Sequence, residues 1–148
     1  MLKILIAEDE LMIADGIEEA LVTNGYEVCG IATTVDEAVA LGEKHKPDLA
    51  VLDVRLAKGG HGPEIAWRLK SKGKFGVLYQ TGDDFRNSAL TRADGEASLS
   101  KPYRTEDLIR ALVIVQEIVT AGTATAPFPS GFRLLPQATA RSPQAVTA

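Results

Sequence analysis

Side chains that can bind a cation or an anion recur at one kind of position in this sequence, directly after short apolar runs. The clearest case is Asp53, which ends the unbroken apolar run 49–52 and would be costly to bury without a partner. The same pattern places acids after the run 3–7, a hydroxyl after 77–80 and a lysine after 97–100. The five side chains placed in this way are Glu8, Asp9, Asp53, Thr81 and Lys101.

The apolar runs read as parallel strands, and ligands bind at the carboxyl ends of the strands in an open parallel sheet. If the first and third strands are neighbours, they lie roughly 5 Å apart. Asp9 would then face Asp53, with Glu8 beside them. Clustered carboxylates raise one another's pKa or recruit a cation. Because oxygen ligands at a shallow edge suit Mg²⁺, we predict a Mg²⁺ site here.

A metal at this edge could hold a phosphoryl group against the carboxylate of Asp53. An aspartate can attack such a group and carry it as an acyl phosphate. Transfer of this kind mainly needs in-line positioning and neutralised charge. Lys101 can supply a compact cation, and Thr81 can donate a hydroxyl hydrogen bond to a phosphate oxygen.

Strand and helix patterns alternate five times along the chain. The first helix is expected from about 11 to 23, where Ile13, Ile17 and Leu21 recur at helical spacing. A capping box at 34–37 opens the second helix. The later helices are expected from Pro63, over 85–94 as a short and poorly ordered fourth helix, and from Thr105. This alternation predicts an α/β fold with a parallel sheet and right-handed crossovers.

The bulk composition fits one small domain. The 148 residues carry a formal net charge of -4, which leaves no broad basic field, so no nucleic-acid partner is expected. No apolar stretch approaches the roughly 18 residues that span a membrane. The N-terminus lacks a signal-peptide layout, so we expect a cytoplasmic location and no membrane contact. The single cysteine, Cys29, can form no intrachain disulfide.

A change of composition separates an expected domain of residues 1–121 from a tail of residues 122–148 that is rich in Ala, Pro and Thr. The tail contains an apolar island at 128–135. The fifth helix is apolar nearly all round between 108 and 119 and should be covered on more than its sheet-facing side. We hypothesise that the tail, from the same chain or a partner chain, docks on this helix.

The sequence resembles the receiver domain of two-component response regulators over about residues 2–120. The matching segments occur in order and at the family spacing: Ile6–Glu10, Val51–Asp53, Tyr79–Gly82 and Lys101–Tyr103. The resemblance is to the single-domain, CheY-like kind. It implies a flavodoxin-like fold, with a five-stranded parallel sheet in the order 2-1-3-4-5 and helices on both faces.

The resemblance also implies a chemistry for the acidic edge. Asp53 would accept a phosphoryl group from a sensor histidine kinase or a phosphotransfer protein. Asp9, Asp53 and the backbone carbonyl of Arg55 would bind Mg²⁺. Glu8 would act mostly through metal-bound water.

Two further residues take roles from the resemblance. Thr81 would be the switch hydroxyl, and Lys101 would be the cation that bridges to the phosphate. Family members often have a cis peptide at the lysine-proline step, so the bond between Lys101 and Pro102 is expected to be cis.

Four features depart from the family pattern. Glu8 stands where an aspartate is more common, and Ser98 stands where a Tyr or Phe usually rotates inward. The segment between the threonine and the lysine is slightly short, which weakens the fourth helix. With Ser98 in place of an aromatic ring, we expect the response to be carried by residues 82–96. Arg55 and Asp83 lie at positions that tune phosphate lifetime, and they could pair across the mouth of the site.

We therefore expect a phosphorylation switch rather than an enzyme with an external substrate. Only residues 122–148 follow the fifth helix, too few for a DNA-binding module, so output is expected through a downstream protein and a homodimer. Two alternatives stay open. One is a receiver-like interaction module that works without phosphorylation. The other is a Mg²⁺-dependent phosphohydrolase, although the chain has no room for a substrate cap.

Overall fold

The computed structural model describes residues 1–70, 73–82 and 90–138. Within them, helices flank a central sheet on both faces. The strands are β1 Lys3–Ala7, β2 Glu27–Ala32, β3 Leu49–Asp53, β4 Arg55–Leu56, β5 Gly60–His61, β6 Gly76–Thr81, β7 Ala97–Ser100 and β8 Phe132–Leu134. The helices are α1 Leu11–Thr23, α2 Val35–His45, α3 Gly62–Lys70 and α4 Thr105–Ala121.

The main sheet has the order β2-β1-β3-β6-β7-β8, and its first five strands are parallel. Numbered along the chain, these five have the predicted order 2-1-3-4-5, so the predicted fold class is confirmed. The sequences of β1, β3 and β6 are nearly continuous apolar runs because helices cover both faces of a parallel sheet.

Two apolar clusters, one on each face, hold the helices to the sheet. The cluster toward α2 and α3 includes Leu5, Leu52, Val77, Val39 and Ile65. The cluster toward α1 and α4 includes Ile4, Val51, Leu78, Leu21 and Leu112. The predicted cap of α2 is also present, since the Thr34 hydroxyl accepts a hydrogen bond from the Glu37 N–H at 3.2 Å. None of the described helices combines the length and the apolar character that crossing a bilayer requires.

The main sheet has six strands rather than the predicted five because the tail adds β8, which runs antiparallel to β7, and β4 and β5 form a separate two-stranded sheet. Leu134 pairs with Ala97, and Phe132 pairs with Leu99. A strand of three residues is too short to show the alternation by which strands are recognised in a sequence. Pairing with the open edge of β7 supplies the hydrogen bonds that this strand lacks on its own.

The predicted fourth helix over 85–94 is not present in its described part. Residues 90–94 form a turn in which the Asp94 N–H donates to the Thr91 carbonyl at 2.8 Å, and the Asp94 carboxylate accepts from the Thr91 N–H at 2.9 Å. Such local side-chain bonds compete with helix formation. The remainder of this predicted helix, and Asp83, lie outside the described residues.

The helix α4 is the one predicted as the fifth helix, and the part of the tail between α4 and β8 runs against it. Arg110 on α4 donates hydrogen bonds to the carbonyls of Thr125 and Pro127, and Glu117 accepts one from the Thr125 N–H at 3.2 Å. The rings of Phe128 and Phe132 pack 5.4 Å apart. Residues 139–148 are outside the described part. The division at residue 121, and docking on a partner chain, stay predictions.

Candidate functional site

The acidic residues meet at the carboxyl ends of the two central strands. Glu8 and Asp9 directly follow β1, and Asp53 is the last residue of β3. Because Ala7 pairs with Leu52, the two strand ends lie side by side. One carboxylate oxygen from each of Glu8, Asp9 and Asp53 lies within 4.8 Å of the others. The fold thus brings together three acids that are 45 residues apart in sequence at their widest, from position 8 to position 53.

Lys101 reaches this cluster from the end of β7, which lies two strands from β3 in the sheet. It follows β7, and its N–H donates to the carbonyl of Thr81 at 2.8 Å. Its ammonium Nζ lies 3.1 Å from Oε1 of Glu8 and 3.1 Å from Oδ2 of Asp53. The peptide between Lys101 and Pro102 is cis, as predicted. One ammonium therefore bridges two of the three carboxylates.

The other predicted site residues lie at the same edge. Thr81 is the last residue of β6, and it is buried one position beyond the partner of Asp53. Arg55 begins β4 two residues after Asp53 and pairs with His61 of β5. The switch role of the Thr81 hydroxyl and metal binding by the Arg55 carbonyl stay predictions. The proposed pair of Arg55 with Asp83 lies outside the described residues.

Glu8 is the most deeply buried of the acids, with 0% of its surface exposed. Its Oε1 accepts hydrogen bonds from Nε2 of Gln80 at 2.9 Å and from Lys101, and its Oε2 accepts one from the Glu10 N–H at 3.1 Å. Burial raises the pKa of Glu8, and the negative charge of Asp53 acts in the same direction, against the Glu10 N–H and Lys101. A carboxylate has about four lone-pair positions, so these donors already use most of the acceptor capacity of Glu8.

The residues present fit a hydrated Mg²⁺ ion. The donor set consists of oxygens only, and Mg²⁺ in proteins keeps several waters and uses one or two carboxylates. Asp9 is exposed, and 14% of the Asp53 side chain is exposed, so both can bind an ion that retains water. Glu8, already surrounded by donors, is better placed to contact a metal-bound water than the metal itself.

Lys101 remains a cation in this setting. Burial alone would lower the pKa of Lys101, but the hydrogen bonds to Glu8 and Asp53 and the charges of both carboxylates raise it above its usual value. The three carboxylates outnumber this one ammonium, so the cluster as a whole still attracts a cation.

The glycine-rich loop that leads into α3 passes close to the backbone of Asp53. Gly62 opens α3, and its N–H donates to the carbonyl of Val54 at 2.8 Å. A Cβ atom at Gly62 would lie only 2.2 Å from the carbonyl oxygen of Asp53. The loop therefore needs glycine at this position because the start of the helix approaches the phosphoacceptor candidate so closely.

Two residues at the site were not assigned a role from the sequence. Gln80 is 1% exposed, and its Oε1 accepts a hydrogen bond from the Tyr103 hydroxyl at 2.5 Å. Burial raises the pKa of Tyr103, and the charges of Glu8 and Asp53 add to the effect, so the phenol keeps its proton. The available signal was a glutamine two positions after Leu78, on a strand face that should be apolar.

Comparison with known proteins points to one family. Residues 4–113 match the response regulator receiver domain. Among curated proteins, the chain is 37% identical over 112 residues to the transcriptional regulatory protein PdtaR of Mycobacterium tuberculosis, covering 74% of this chain and 54% of that protein. It is 31% identical over 103 residues to the phyllosphere-induced regulator PhyR of Methylorubrum extorquens, covering 69% and 39%.

Solved structures give the same result. A CheY-like response regulator receiver domain protein from Methanospirillum hungatei superposes with a TM-score of 0.72 at 27% identity, covering 83% of this chain and 99% of that one. The response regulator PhyR from Brucella abortus gives a TM-score of 0.62 at 30% identity, covering 71% and 43%. The chain spans about half the length of the curated relatives it matches.

Proposed function

Because this chain belongs to the response regulator receiver domain family, we propose that it is a phosphoacceptor that receives a phosphoryl group on Asp53 and signals through protein contacts. Receiver domains are generally signalling modules rather than enzymes, and they bind Mg²⁺ at an acidic pocket. The donor in this proposal is a sensor histidine kinase or a phosphotransfer protein in the cytoplasm. The recipient of the signal is a downstream protein, with a homodimer as the working form.

The observation that carries the proposal is the position of the Lys101 ammonium, 3.1 Å from both Asp53 and Glu8. A compact cation beside an aspartate can bind an oxygen of a phosphoryl group that the aspartate has received. Among the described residues, the one hydrogen bond to the Asp53 carboxylate goes from Lys101 to Oδ2, which leaves Oδ1 without a donor in this part of the chain. An oxygen of Asp53 is thus available to attack phosphorus while Lys101 stays in place.

Each residue of the site has a part in the proposed transfer. Asp9, Asp53 and the Arg55 carbonyl would hold Mg²⁺, which would neutralise part of the phosphoryl charge when bound. Asp53 attacks phosphorus, the bond from phosphorus to the donor nitrogen breaks, and Lys101 binds one of the phosphoryl oxygens. Thr81 donates its hydroxyl hydrogen bond to another phosphoryl oxygen.

In this proposal, the conformational response to phosphorylation does not use the inward rotation of a Tyr or Phe side chain. Ser98 is buried in β7, where it pairs with Arg133 of β8. Because the Ser98 side chain is small, the conformational response is carried instead by residues 82–96, which connect β6 to β7. Amide exchange in this segment should change when Mg²⁺ and a phosphoryl mimic are added, and unchanged exchange would contradict this part of the proposal.

Labelling with a small radioactive phosphodonor tests the proposal directly. We expect Mg²⁺-dependent label on the full chain that resists turnover, and no label on the Asp53→Asn variant, which keeps the shape of the side chain without its nucleophile. Release of phosphate from small phosphoesters would favour a phosphohydrolase instead. Absence of label on the wild-type chain would favour an interaction module that works without phosphorylation.

A further inference from the structure

A continuous chain of buried and partly buried polar contacts runs from Tyr103 to Asp53. The Tyr103 hydroxyl donates to Oε1 of Gln80 at 2.5 Å, and Nε2 of Gln80 donates to Oε1 of Glu8 at 2.9 Å. The same Glu8 oxygen accepts from Lys101, whose ammonium also contacts Asp53. The chain therefore joins a residue on the loop before α4 to the proposed phosphoacceptor.

The hydrogen bonds on both sides of Gln80 favour the same orientation of its amide. The Glu8 carboxylate can only accept, so it takes the amino end, and the Tyr103 hydroxyl donates to the carbonyl end. The amino end is then directed at Glu8. The reverse orientation would place the amide oxygen against a carboxylate, which repels it. The hydrogen bonds therefore link Tyr103 to Glu8 through Gln80.

Gln80 and Lys101 share one oxygen of a carboxylate that has no contact with bulk water. Without the Gln80 amide, Oε1 of the buried Glu8 would be compensated by Lys101 alone. Because an uncompensated buried charge is costly, the ammonium would be drawn toward Glu8 and away from Asp53.

We propose that Gln80 and Tyr103 are positioning residues that keep the Lys101 ammonium between Glu8 and Asp53, ready for a phosphoryl group on Asp53. This inference rests on the proposed function, because its consequence is a faster transfer to Asp53. Neither residue touches the reacting atoms, and their effect passes through Glu8 and Lys101.

Two conservative variants separate hydrogen bonding from packing. The ring of Tyr103 packs against the apolar cluster toward α1 and α4, so Tyr103→Phe keeps the ring and removes only the hydroxyl. Gln80→Met keeps a long unbranched side chain and removes both amide hydrogen bonds. Tyr26→Phe is the matched control, because Tyr26 packs against the same cluster but precedes β2, at the opposite end of the sheet.

The first measurement needs neither metal nor phosphate. In nitrogen-15 NMR spectra of the full chain, we expect the Gln80 side-chain amide protons to be inequivalent and slow to exchange with water. Tyr103→Phe should speed their exchange, whereas Tyr26→Phe should leave it unchanged. Equal exchange in the wild-type protein and Tyr103→Phe would overturn the link between the tyrosine and the amide.

The second measurement is the rate of Asp53 phosphorylation by phosphoramidate across a series of Mg²⁺ concentrations. Gln80→Met should lower the rate at saturating Mg²⁺ by about tenfold, as expected for loss of a hydrogen bond to a charged group. The Mg²⁺ concentration for half-maximal rate should stay nearly constant, since Asp9 and Asp53 are intact. An equal loss from weaker Mg²⁺ binding alone would overturn the proposal.

A double variant tests whether Tyr103 works through Gln80. Tyr103→Phe should slow the wild-type protein by about threefold but add no loss to Gln80→Met, the coupling expected of residues in one network. Additive losses would overturn the shared role. If the wild-type chain takes no label on Asp53, the proposed function fails. If it is labelled while Gln80→Met matches its rate, only this inference fails.

Discussion

The contacts at two edges of the sheet are made by different chemical groups, side chains at one edge and backbone at the other. At the carboxyl edge, charged and amide side chains bond to one another across long stretches of sequence, as in the contact between Lys101 and Glu8, which are 93 residues apart. At the lateral edge of the sheet, where β8 pairs with β7, the tail is attached mainly through its backbone. The Ser100 N–H donates to Gly131, the Leu135 N–H donates to Glu96, and the Arg92 N–H donates to Pro136, at 2.8–3.1 Å.

The difference teaches where single substitutions matter. Each contact at the carboxyl edge depends on the identity of two side chains, so one substitution should remove it and the chemistry with it. Backbone pairing is available to almost any residue, so the tail edge should respond only to loss of its few buried side chains or to removal of the segment.

The largest effect is expected from Lys101→Met, which removes the bridging cation and keeps the length of the side chain. Phosphorylation of Asp53 by a small phosphodonor should fall by about a hundredfold, the order seen when one donor to a developing charge is lost. Lys74→Met is the control, since Lys74 is exposed and lies just before β6 at the opposite end of the sheet. A Lys101→Met protein as fast as the wild type would remove the basis of the proposed function.

Gly62→Ala tests the one close backbone approach at the site. The added Cβ would clash with the Asp53 carbonyl oxygen, so we expect a loss of about 1–3 kcal/mol in the free energy of unfolding, measured with urea. Gly16→Ala is the matched control within α1, where a Cβ meets nothing within 4 Å. It should stabilise the protein by about 0.5–1 kcal/mol. Equal effects of the two variants would contradict the predicted clash.

At the tail edge, Leu135→Ala and Leu134→Ala form a matched pair. Leu135 is 3% exposed and packs in the cluster toward α2 and α3, whereas Leu134 is 38% exposed. The first should cost about 2 kcal/mol in the free energy of unfolding, and the second should change it by less than about 0.5 kcal/mol. Urea unfolding measures both, and exchange of the Ser100 amide, whose N–H donates to the Gly131 carbonyl, reports whether the tail has left β7. Identical behaviour of the two variants would mean that the tail does not dock as described.

The smallest effect is a pH dependence from Glu8, measured in metal-free buffer. Its pKa is raised above the ordinary 4.5, so the folded state holds the proton more readily than the unfolded state. The contribution of Glu8 to the free energy of unfolding is fully present below pH 4.5 and is lost as pH rises through the pKa that Glu8 has in the folded state. Glu8→Gln removes this titration, so the free energy of unfolding of the variant should rise relative to that of the wild type as pH rises above 4.5. The matched control is Glu19→Gln, the same substitution at an exposed position of α1.

Much of the fold and site followed from local patterns. Buried parallel strands carry continuous apolar runs, and a charged residue that ends such a run must lie at the carboxyl edge. This is why Asp53, Asp9 and Lys101 were predicted to meet. The strand β8 was missed because three residues carry no periodic signal and its stability comes from the open edge of β7. The turn at 90–94 was taken for helix because the bonds of Asp94 to Thr91 are invisible in a pattern of polarity.

By itself, the sequence determined which side chains stand at the strand ends, because alternation of apolar runs and helices sets the sheet and its polar edge. Only the tertiary structure decided how those side chains share their hydrogen bonds. Gln80 and Glu8 are 72 residues apart, and nothing local to either residue specifies the contact. Their pairing arises because burial removes water, so each buried polar atom must find its partner among whichever atoms the packed strands bring near.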